Sequence, residues 1–375
     1  MIRVLFVDHA QALGGAEYSL LLLLEHLNRQ RFSPVLACNE GRLAEQARSL
    51  DVQVVTVPMP RLRKTLAAPI RLGRGVAPLV RVIRRSGIDL VYSNTMRASF
   101  YAALAARCTR CPLLWHVRDI YKPGAYVRWM SRLSAGIIAT SMATARGVPD
   151  GAPLKIVPNG VDLEAFDRFC SSGDIVRQGW GISPSAPLVG IVGRLRPWKG
   201  QDDFVRAMAV VRQVHPQARY VIIGGMVFEG GKDYGEELTT LAEDIGLGDS
   251  LVFAGQRDDL AAVLSALDVM VHCSIKPEPF GRVMIEGMAA RLPVVAYDQG
   301  GASEIIVAGK TGLLVPPSEV RALGKAVVTL LDDRDLARRL GDAGRRRVEQ
   351  HYEVGSLTRR IEDIIASCAA RAEGS

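Results

Sequence analysis

The apolar residues of this chain fall into two series of short, continuous segments, and segments with helical spacing lie between them. The first series covers residues 2–7, 34–38, 52–57, 90–92, 113–117 and 136–139, which are rich in branched side chains. Continuous apolar runs of this length are typical of parallel strands that are buried on both faces. Because segments such as 16–27, 42–50 and 76–85 have helical periodicity, the pattern predicts crossover connections and a doubly wound α/β sheet.

A second series of apolar segments begins after residue 185 and predicts a second sheet of the same kind. Its members are residues 188–192, 220–223, 251–253, 269–272 and 294–296. The turn cluster at 158–162 and the breaker-rich stretches at 170–173 and 183–187 predict a hinge at 160–185. Two helical patterns remain after Pro316-Pro317. We therefore expect domains at 1–165 and 166–354, followed by a final helix at 355–375 that packs back on the N-terminal domain.

The composition agrees with two ordinary hydrophobic cores. The chain has 375 residues, of which 48% are hydrophobic, enough for two domains. The leucine-rich segment 20–24 ends at Glu25, and no apolar run is long enough for a transmembrane helix. The first residues enter a strand directly, without the features of a signal peptide, so we expect a cytoplasmic protein.

The spacing of the cysteines does not indicate a disulfide framework. They are scattered at 38, 108, 111, 170, 273 and 368, which favours reduced structural thiols. Cys108 and Cys111 form one C-x-x-C pair, but no second pair follows. A zinc or redox site is therefore disfavoured.

Two cations follow the first strand of the second series. Gly193-Arg194-Leu195 and Trp198-Lys199-Gly200 lie between that strand and a helical segment, at the edge of a parallel sheet where such folds bind ligands. Arg194 and Lys199 can clamp a diphosphate and neutralise it as a leaving group. The alternative is a solvated cationic loop.

The stretch from Glu278 to Met288 carries a second candidate anion site. Pro279 and Gly281 precede a predicted helix whose first amides have no partner within the helix and can face a phosphate. Glu286 lies in that helix, where an exposed carboxylate can accept two vicinal hydroxyls. The alternative is that Glu278 caps a turn and Glu286 faces water.

These motifs together resemble the retaining glycosyltransferases of family 4, which have the GT-B fold of two Rossmann-like domains facing a cleft. Glu278 and Glu286 match that family's pair of glutamates. The resemblance spans nearly the whole chain, because further landmarks occur in the family's order: Gly14-Gly15-Ala16-Glu17, Pro158-Asn159-Gly160-Val161-Asp162, Gly193-Arg194 with Lys199-Gly200, and Gly300-Gly301-Ala302-Ser303-Glu304.

The resemblance implies transfer of a sugar from a nucleotide-diphosphate sugar to a glycan or lipid-linked acceptor, in cell-envelope or exopolysaccharide synthesis. It implies retention by front-face attack, with no metal and no further cofactor. Arg194 and Lys199 would bind the diphosphate, Glu286 the ribose and Glu278 the donor sugar. The remaining donor-binding candidates are Gly14, Gly15, Gly193, Phe280, Gly281, Arg282 and Val283.

The N-terminal half contributes further candidates. The Gly14-Gly15 loop precedes a helix, so its amides can approach the donor or acceptor, although a tight turn would look the same. By resemblance His116 contacts the donor sugar near the reacting carbon, against the alternative of a hydrogen-bonded core histidine. The acceptor candidates are Asn94, Arg118 and Asp119. Asn94 and Arg282 depart from the family pattern, in which a histidine and an aliphatic residue are frequent.

The positive charge of the chain, +8 with a pI near 9.3, is unevenly distributed. Residues 52–88 include no acidic side chain and eight basic ones: Arg61, Arg63, Lys64, Arg71, Arg74, Arg81, Arg84 and Arg85. Apolar residues recur among them at helical spacing, which predicts an amphipathic basic helix. One hypothesis is contact with anionic lipid at the inner face of the membrane; the alternative is a solvated helix face. Nucleic-acid binding is disfavoured, because no recognised module accompanies the charge.

Two other functions compete with transfer. A dinucleotide-dependent dehydrogenase is disfavoured, because residues 9–15 after the first strand lack the G-x-G-x-x-G pattern. A catalytically inactive GT-B scaffold or regulatory partner in polysaccharide assembly would keep the fold and lose turnover. The presence of Arg194, Lys199, Glu278 and Glu286 argues against the scaffold.

Overall fold

The computed structural model describes residues 1–61, 68–169, 172–225 and 234–373. The chain divides into two compact units. The N-terminal unit combines Met1–Gly160 with the C-terminal segment Val354–Ser375, and the C-terminal unit is Val161–Glu353. The division at residue 160 lies at the start of the predicted hinge.

The N-terminal unit is built on a seven-stranded sheet in the order β3-β2-β1-β4-β5-β6-β7, and its paired strands are parallel. Six strands agree with the predicted apolar runs, whereas β7 was missed because three residues carry too little pattern. The strands are β1 (Ile2–Val7), β2 (Phe32–Cys38), β3 (Gln53–Thr56), β4 (Leu90–Ser93), β5 (Leu113–Val117), β6 (Gly136–Ala139) and β7 (Leu154–Ile156). The helices of this unit are α1 (Gly15–His26), α2 (Arg42–Ser49), α3 (Ala68–Arg85), α4 (Met96–Thr109), α5 (Ala125–Leu133), α6 (Met142–Ala145) and α16 (Val354–Glu373).

The C-terminal unit is built on a six-stranded parallel sheet in the order β10-β9-β8-β11-β12-β13. Its strands are β8 (Leu188–Val192), β9 (Arg219–Ile223), β10 (Leu251–Gly255), β11 (Val269–His272), β12 (Val294–Tyr297) and β13 (Leu313–Val315). Its helices are α7 (Leu163–Arg168), α8 (Gly173–Gly179), α9 (Gln201–Val214), α10 (Tyr234–Asp244), α11 (Leu260–Ser265), α12 (Arg282–Ala289), α13 (Ala302–Ile305), α14 (Val320–Asp332) and α15 (Arg334–His351). Single 3₁₀ turns occupy Pro197–Lys199 and Gly248–Ser250.

The predicted α/β class with two doubly wound parallel sheets is confirmed. Helices cover both faces of each sheet, which explains why the strands read as continuous apolar runs. The prediction of two helices after Pro317 was wrong, because the described part of the chain has three helices there. Helices α14 and α15 are separated by Asp333 alone, whose carboxylate caps α15.

The last helix, α16, belongs to the N-terminal unit. Its buried residues Leu357, Ile361 and Ile365 share a core with Val4 and Phe6 of the first strand. A side chain at Gly136 of β6 would lie 2.5 Å from the Sγ atom of Cys368. The helix and the sheet therefore approach closely at this point.

Helix α3 lies within the basic segment, residues 52–88. Its apolar side packs inward through Leu79 and Ile83, while Arg74, Arg81 and Arg84 are exposed. Arg63 and Lys64 lie outside the described residues. Within the described ranges, no helix has the length and apolarity needed to cross a membrane.

Candidate functional site

In the C-terminal unit, the loops after β8 and β11 form the candidate donor site. Strand β8 lies between β9 and β11 in the sheet, so the direction of the crossovers changes there. In open α/β sheets this switch point is where ligands bind, at the carboxyl ends of the strands. The first loop, residues 193–200, carries Arg194 and Lys199, and the second, residues 273–281, carries Glu278.

Close backbone packing holds the two loops together. Gly200 has a φ of +75°, and a Cβ there would lie 2.0 Å from the carbonyl oxygen of Cys273. The Cys273 thiol donates to the Gly200 carbonyl at 3.0 Å, and the Ile275 amide donates to the Trp198 carbonyl at 2.8 Å. Gly200 is therefore required by both its backbone conformation and its neighbour.

Glu278 is held by three polar neighbours that converge on one of its oxygens. Its Oε1 accepts a hydrogen bond from Lys199 Nζ at 2.6 Å, and another from the Ser274 hydroxyl. The Nε2 atom of His272 lies 3.3 Å from the same oxygen. Lys199 also lies over the ring of Trp198, with Nζ 4.6 Å from its centroid. The sequence-predicted cation and acid thus meet directly.

The charges of this cluster follow from its burial. Burial alone would raise the pKa of Glu278, but His272, Lys199 and the Ser274 hydroxyl together lower it to about 2. Burial lowers the pKa of His272, and Lys199 lowers it further against the opposing effect of Glu278. The lowered pKa leaves His272 uncharged at pH 7, so its charge acts on Glu278 only at the lower pH where the ring is protonated, and Lys199 supplies the positive partner of Glu278 at pH 7.

Helix α12 begins at the predicted anion site. Gly281 precedes it with a φ of +91°, and a Cβ there would lie 2.4 Å from the terminal methyl of Met284. The expected exposed carboxylate at Glu286 was wrong: this residue is 7% exposed. Arg282, one turn earlier, donates to Glu286 Oε1 at 2.6 Å, which accounts for the burial of a charged group. Phe280 is buried against Tyr352, so its side chain is part of the core.

The Gly300-Gly301 motif supports the loop that carries Glu278. A Cβ at Gly300 would lie 2.5 Å from the Glu278 carbonyl oxygen, and one at Gly301 would lie 2.1 Å from that of Phe280. The Gly301 amide donates to the Glu278 carbonyl at 3.0 Å. This motif therefore acts on the site through backbone packing.

Arg194 is exposed at the carboxyl end of β8. Among the described residues its guanidinium makes no hydrogen bond or ion pair, although its carbonyl accepts from the Gln201 side chain at 3.0 Å. Gly193 brings the chain close to Lys199, since a Cβ there would lie 3.7 Å from Lys199 Cδ. Arg194 and Lys199 are thus presented by one short loop.

In the N-terminal unit, the corresponding switch point lies between β1 and β4. Gly14 precedes α1, and its amide donates to Glu17 Oε2 at 2.8 Å. That amide is therefore occupied within the chain, whereas Gly15 is exposed at the first position of the helix. Burial, reinforced by the nearby charge of Asp8, raises the pKa of Glu17 to about 7.

Three of the polar candidates near this point are buried. Asn94 donates to Asp8 Oδ2 at 2.6 Å and accepts from Arg118 Nε at 2.6 Å. His116 lies within β5, 3% exposed, and its Nδ1 contacts the Tyr92 hydroxyl. Burial, reinforced by Arg118, holds the pKa of His116 well below its ordinary value. Asp119 is exposed just beyond the strand.

Sequence reasoning missed several residues that build these sites. Asp8, fully buried after β1, accepts from the Ala10 amide at 2.8 Å and from Asn94. His272 and Ser274 support Glu278. A signal was present for both groups, because each residue follows or ends an apolar strand at the ligand-binding edge.

Comparisons with known proteins agree with this arrangement. A family model described as glycosyl transferases group 1 matches residues 174–347, and one described as glycosyltransferase family 4 matches residues 13–165. A GDP-mannose-dependent alpha-(1-6)-phosphatidylinositol monomannoside mannosyltransferase of Mycobacterium tuberculosis is 33% identical over 57% of this chain and 56% of that protein. The lipopolysaccharide core biosynthesis mannosyltransferase LpcC of Rhizobium leguminosarum is 32% identical over 61% of this chain and 64% of its own length. The chain thus spans less than two thirds of either relative.

The similarity in structure is more extensive than the similarity in sequence. The crystal structure of HepE from Anabaena, in complex with UDP and glucose, superposes with a TM-score of 0.85 at 27% identity. The match covers 98% of this chain and 100% of that one. Together with the two family models, it shows that the chain belongs to the family 4 glycosyltransferases, with the GT-B fold.

Proposed function

We propose that this chain is a retaining glycosyltransferase that moves a sugar from a nucleotide-diphosphate sugar to a glycan or lipid-linked acceptor. The two similar mannosyltransferases act on a phosphatidylinositol monomannoside and in lipopolysaccharide core biosynthesis, which supports a role in cell-envelope or exopolysaccharide synthesis. The complex of HepE with UDP and glucose supports a nucleotide-sugar donor.

The observation that carries the proposal is the grouping of charges after β8 and β11. Lys199 is paired with Glu278 at 2.6 Å, and Arg194 is exposed on the same loop as Lys199. A planar guanidinium and a compact ammonium at the edge of a parallel sheet suit a diphosphate. Both charges would stabilise the leaving group as the glycosidic bond breaks.

The state of Glu278 supports front-face attack over a double displacement. A carboxylate with a pKa of about 2 is a weak base and a weak nucleophile. Its Oε1 is already occupied by Lys199 and Ser274, which leaves Oε2 to accept a donor hydroxyl. The departing phosphate would then take the acceptor proton. Glu286, fixed by Arg282, would bind the ribose.

The N-terminal candidates have different proposed roles. Asp119 is exposed and would contact the acceptor directly. Asn94 and Arg118 are buried and joined to each other at 2.6 Å, so we propose that they shape the acceptor side through the groups they hold. His116 would contact the sugar.

A nucleotide screen tests the proposal. Thermal unfolding of the full chain would be followed with UDP, GDP and ADP and with their sugars, and hydrolysis of each sugar would be measured. At 100 times its Kd, a donor should stabilise by about 2.7 kcal/mol. The Arg194→Ala variant should bind at least tenfold more weakly, whereas Arg291→Ala, a control cation paired with Asp342 at 3.1 Å, should bind normally. If no nucleotide stabilises the chain, a role as an inactive scaffold would explain its fold better than transfer does.

We propose that transfer needs no metal ion, because cationic side chains and helix amides take its role at the diphosphate. Turnover should therefore persist after exhaustive treatment with EDTA, and added Mg²⁺ should not raise it. Loss of turnover that Mg²⁺ restores would contradict this part of the proposal.

We also propose that the exposed arginines of α3 contact anionic lipid at the inner face of the membrane. Arg81, Arg84 and Arg85 are exposed, and each cation near such a surface contributes about 1 kcal/mol. Flotation with phosphatidylglycerol vesicles at low salt should carry the chain upward, and a triple change of these residues to glutamate should abolish this. Equal flotation of the variant would indicate an ordinary solvated face.

A further inference from the structure

His116 belongs to a buried cluster of polar groups in the N-terminal unit. Asn94 donates to Asp8 Oδ2 at 2.6 Å and accepts from Arg118 Nε at 2.6 Å. Beside these groups, the hydroxyl of the fully buried Tyr92 contacts His116 Nδ1, and the charge of Arg118 acts on both Tyr92 and His116. These groups come from the carboxyl ends of β1, β4 and β5.

Arg118 fixes the direction of the hydrogen bonds that Asn94 makes, because a guanidinium only donates hydrogen bonds. The Asn94 oxygen therefore takes the hydrogen of Arg118, and the Asn94 amide group donates to Asp8. Since Arg118 offers no acceptor, His116 Nδ1 is the atom among the described residues that can take the Tyr92 hydrogen.

The opposite arrangement would leave a buried hydrogen without an acceptor. If His116 carried its hydrogen on Nδ1, the Tyr92 oxygen would accept from His116. Tyr92 is fully buried, so both its own hydrogen and the bare Nε2 atom of His116 would then lack a partner. The first arrangement leaves only the Nε2 position unpaired, and each unpaired polar group is costly in a protein interior. The ring of His116 therefore accepts at Nδ1.

The second ring nitrogen of His116 is the unpaired atom of this cluster. Its Nε2 is buried, and no hydrogen-bond partner occurs for it among the described residues. Burial and the Arg118 charge hold the pKa of this histidine well below its ordinary value, so the ring is neutral at pH 7. A neutral ring that accepts at Nδ1 carries its hydrogen on Nε2.

We propose that Tyr92 is a positioning residue that holds His116 as the neutral Nε2–H tautomer, which donates its hydrogen to a sugar oxygen of the substrate. The part that concerns the sugar rests on the proposed transferase function. In this state His116 has no lone pair to offer at Nε2, so it acts as a hydrogen-bond donor and not as a general base.

The tautomer can be measured without any substrate. In the full chain with ¹⁵N-labelled histidine side chains, a two-bond ¹H–¹⁵N spectrum at pH 7 distinguishes the two neutral tautomers and the charged ring. The signal that disappears in His116→Gln belongs to His116. We expect a protonated Nε2 and a bare Nδ1. A hydrogen on Nδ1, or a charged ring, would overturn the proposal.

A conservative variant tests the role of Tyr92. Tyr92→Phe keeps the ring that packs on Phe6 at 4.9 Å and removes only the hydroxyl, so the fold should persist and the tautomer of His116 should become mixed. Tyr101→Phe is the matched control. The Tyr101 hydroxyl donates to the Pro60 carbonyl at 2.8 Å and does not contact His116. An unchanged tautomer in Tyr92→Phe would overturn the positioning role.

Activity supplies a second readout once the nucleotide screen has identified a donor. Tyr92→Phe and His116→Gln should each lower kcat at least tenfold, with a smaller change in KM. The double variant should be no slower than His116→Gln, because Tyr92 acts through His116. Losses that multiply would overturn the proposal. A failed screen would count against the transferase function and leave the tautomer result standing.

Discussion

Removal of the cation that pairs with Glu278 should destabilise the C-terminal unit strongly. In the Lys199→Met variant, a carboxylate whose side chain is 11% exposed loses a partner at 2.6 Å. The surroundings lower the pKa of Glu278 from 4.5 to about 2. That difference, to which His272, Lys199 and Ser274 all contribute, corresponds to about 3 kcal/mol of preference for the ionised form in the folded protein.

The double variant separates the ion pair from simple loss of packing. Lys199→Met should lower the free energy of unfolding at pH 7 by about 3 kcal/mol or more, because a charge is left buried without its partner. Adding Glu278→Gln removes that charge while the amide oxygen can still accept from Ser274. Lys199→Met with Glu278→Gln should therefore be more stable than Lys199→Met alone.

The assay is urea unfolding of the full chain, followed by circular dichroism at several pH values. The pKa of Glu278 is lower in the folded protein, so its contribution is present above pH 4.5 and lost as the pH falls toward 2. Glu278→Gln should flatten this part of the profile. The exposed pair Arg291–Asp342, at 3.1 Å, is the control, and its removal should cost less than about 1 kcal/mol.

Additive effects of the two substitutions would contradict an interaction between Lys199 and Glu278. If the effects of Lys199→Met and Glu278→Gln sum to that of the double variant within about 0.5 kcal/mol, the two groups do not interact energetically. The ion pair between Lys199 and Glu278 would then contribute nothing to the free energy of unfolding.

Three further changes test other parts of the structure. Gly281→Ala combines a φ of +91° with a contact of 2.4 Å to Met284, so it should lower the free energy of unfolding by about 1 to 3 kcal/mol in urea. The control is Gly309→Ala, which has a φ of +70° and open space around it and should lower this free energy less. Equal losses would contradict a clash at Gly281. The pKa of Glu17 is raised to about 7 by burial and by Asp8. The contribution of Glu17 to stability is therefore present below pH 4.5 and lost as the pH rises through 7. Glu17→Gln should flatten this decline in a plot of the free energy of unfolding against pH, and an unchanged plot would contradict its assignment to Glu17. Gly136→Ala should lower the Tm, because the added Cβ would lie 2.5 Å from Cys368 Sγ. The control is Gly73→Ala, in open space within α3, which should raise the Tm slightly. An unchanged Tm in Gly136→Ala would show that α16 can shift outward.

The loops of the candidate donor site were predictable because their signals are local. Gly193, Gly200 and Gly281 interrupt apolar strand and helix patterns, and each has a positive φ in the structure. Strand ends in a parallel sheet share one edge, so Arg194 and Lys199 could be assigned to that edge before any coordinates. Whether these residues bind a diphosphate stays a prediction.

The partners of the polar residues could not be predicted from the sequence. Lys199 and Glu278 are 79 residues apart, and Asn94 and Asp8 are 86 apart. The resemblance suggested contacts to substrate for Asn94 and Arg118, yet both side chains are buried and bonded to each other. A lone polar residue after a strand does not reveal whether it faces solvent or another strand end.

Apolar periodicity and glycine positions thus determined the fold class, the order of most strands and the edge that carries the chemistry, because each depends on a few neighbouring residues. The helix α16 shows the complementary case. Its amphipathic pattern predicted a helix, but the core it enters contains Val4 and Phe6 from the opposite end of the chain. Long-range packing also decided that Glu286 is paired with Arg282 and buried, and that His116 is held by Tyr92. Such choices depend on which groups exclude water together, and this arises only when distant segments meet in the folded chain.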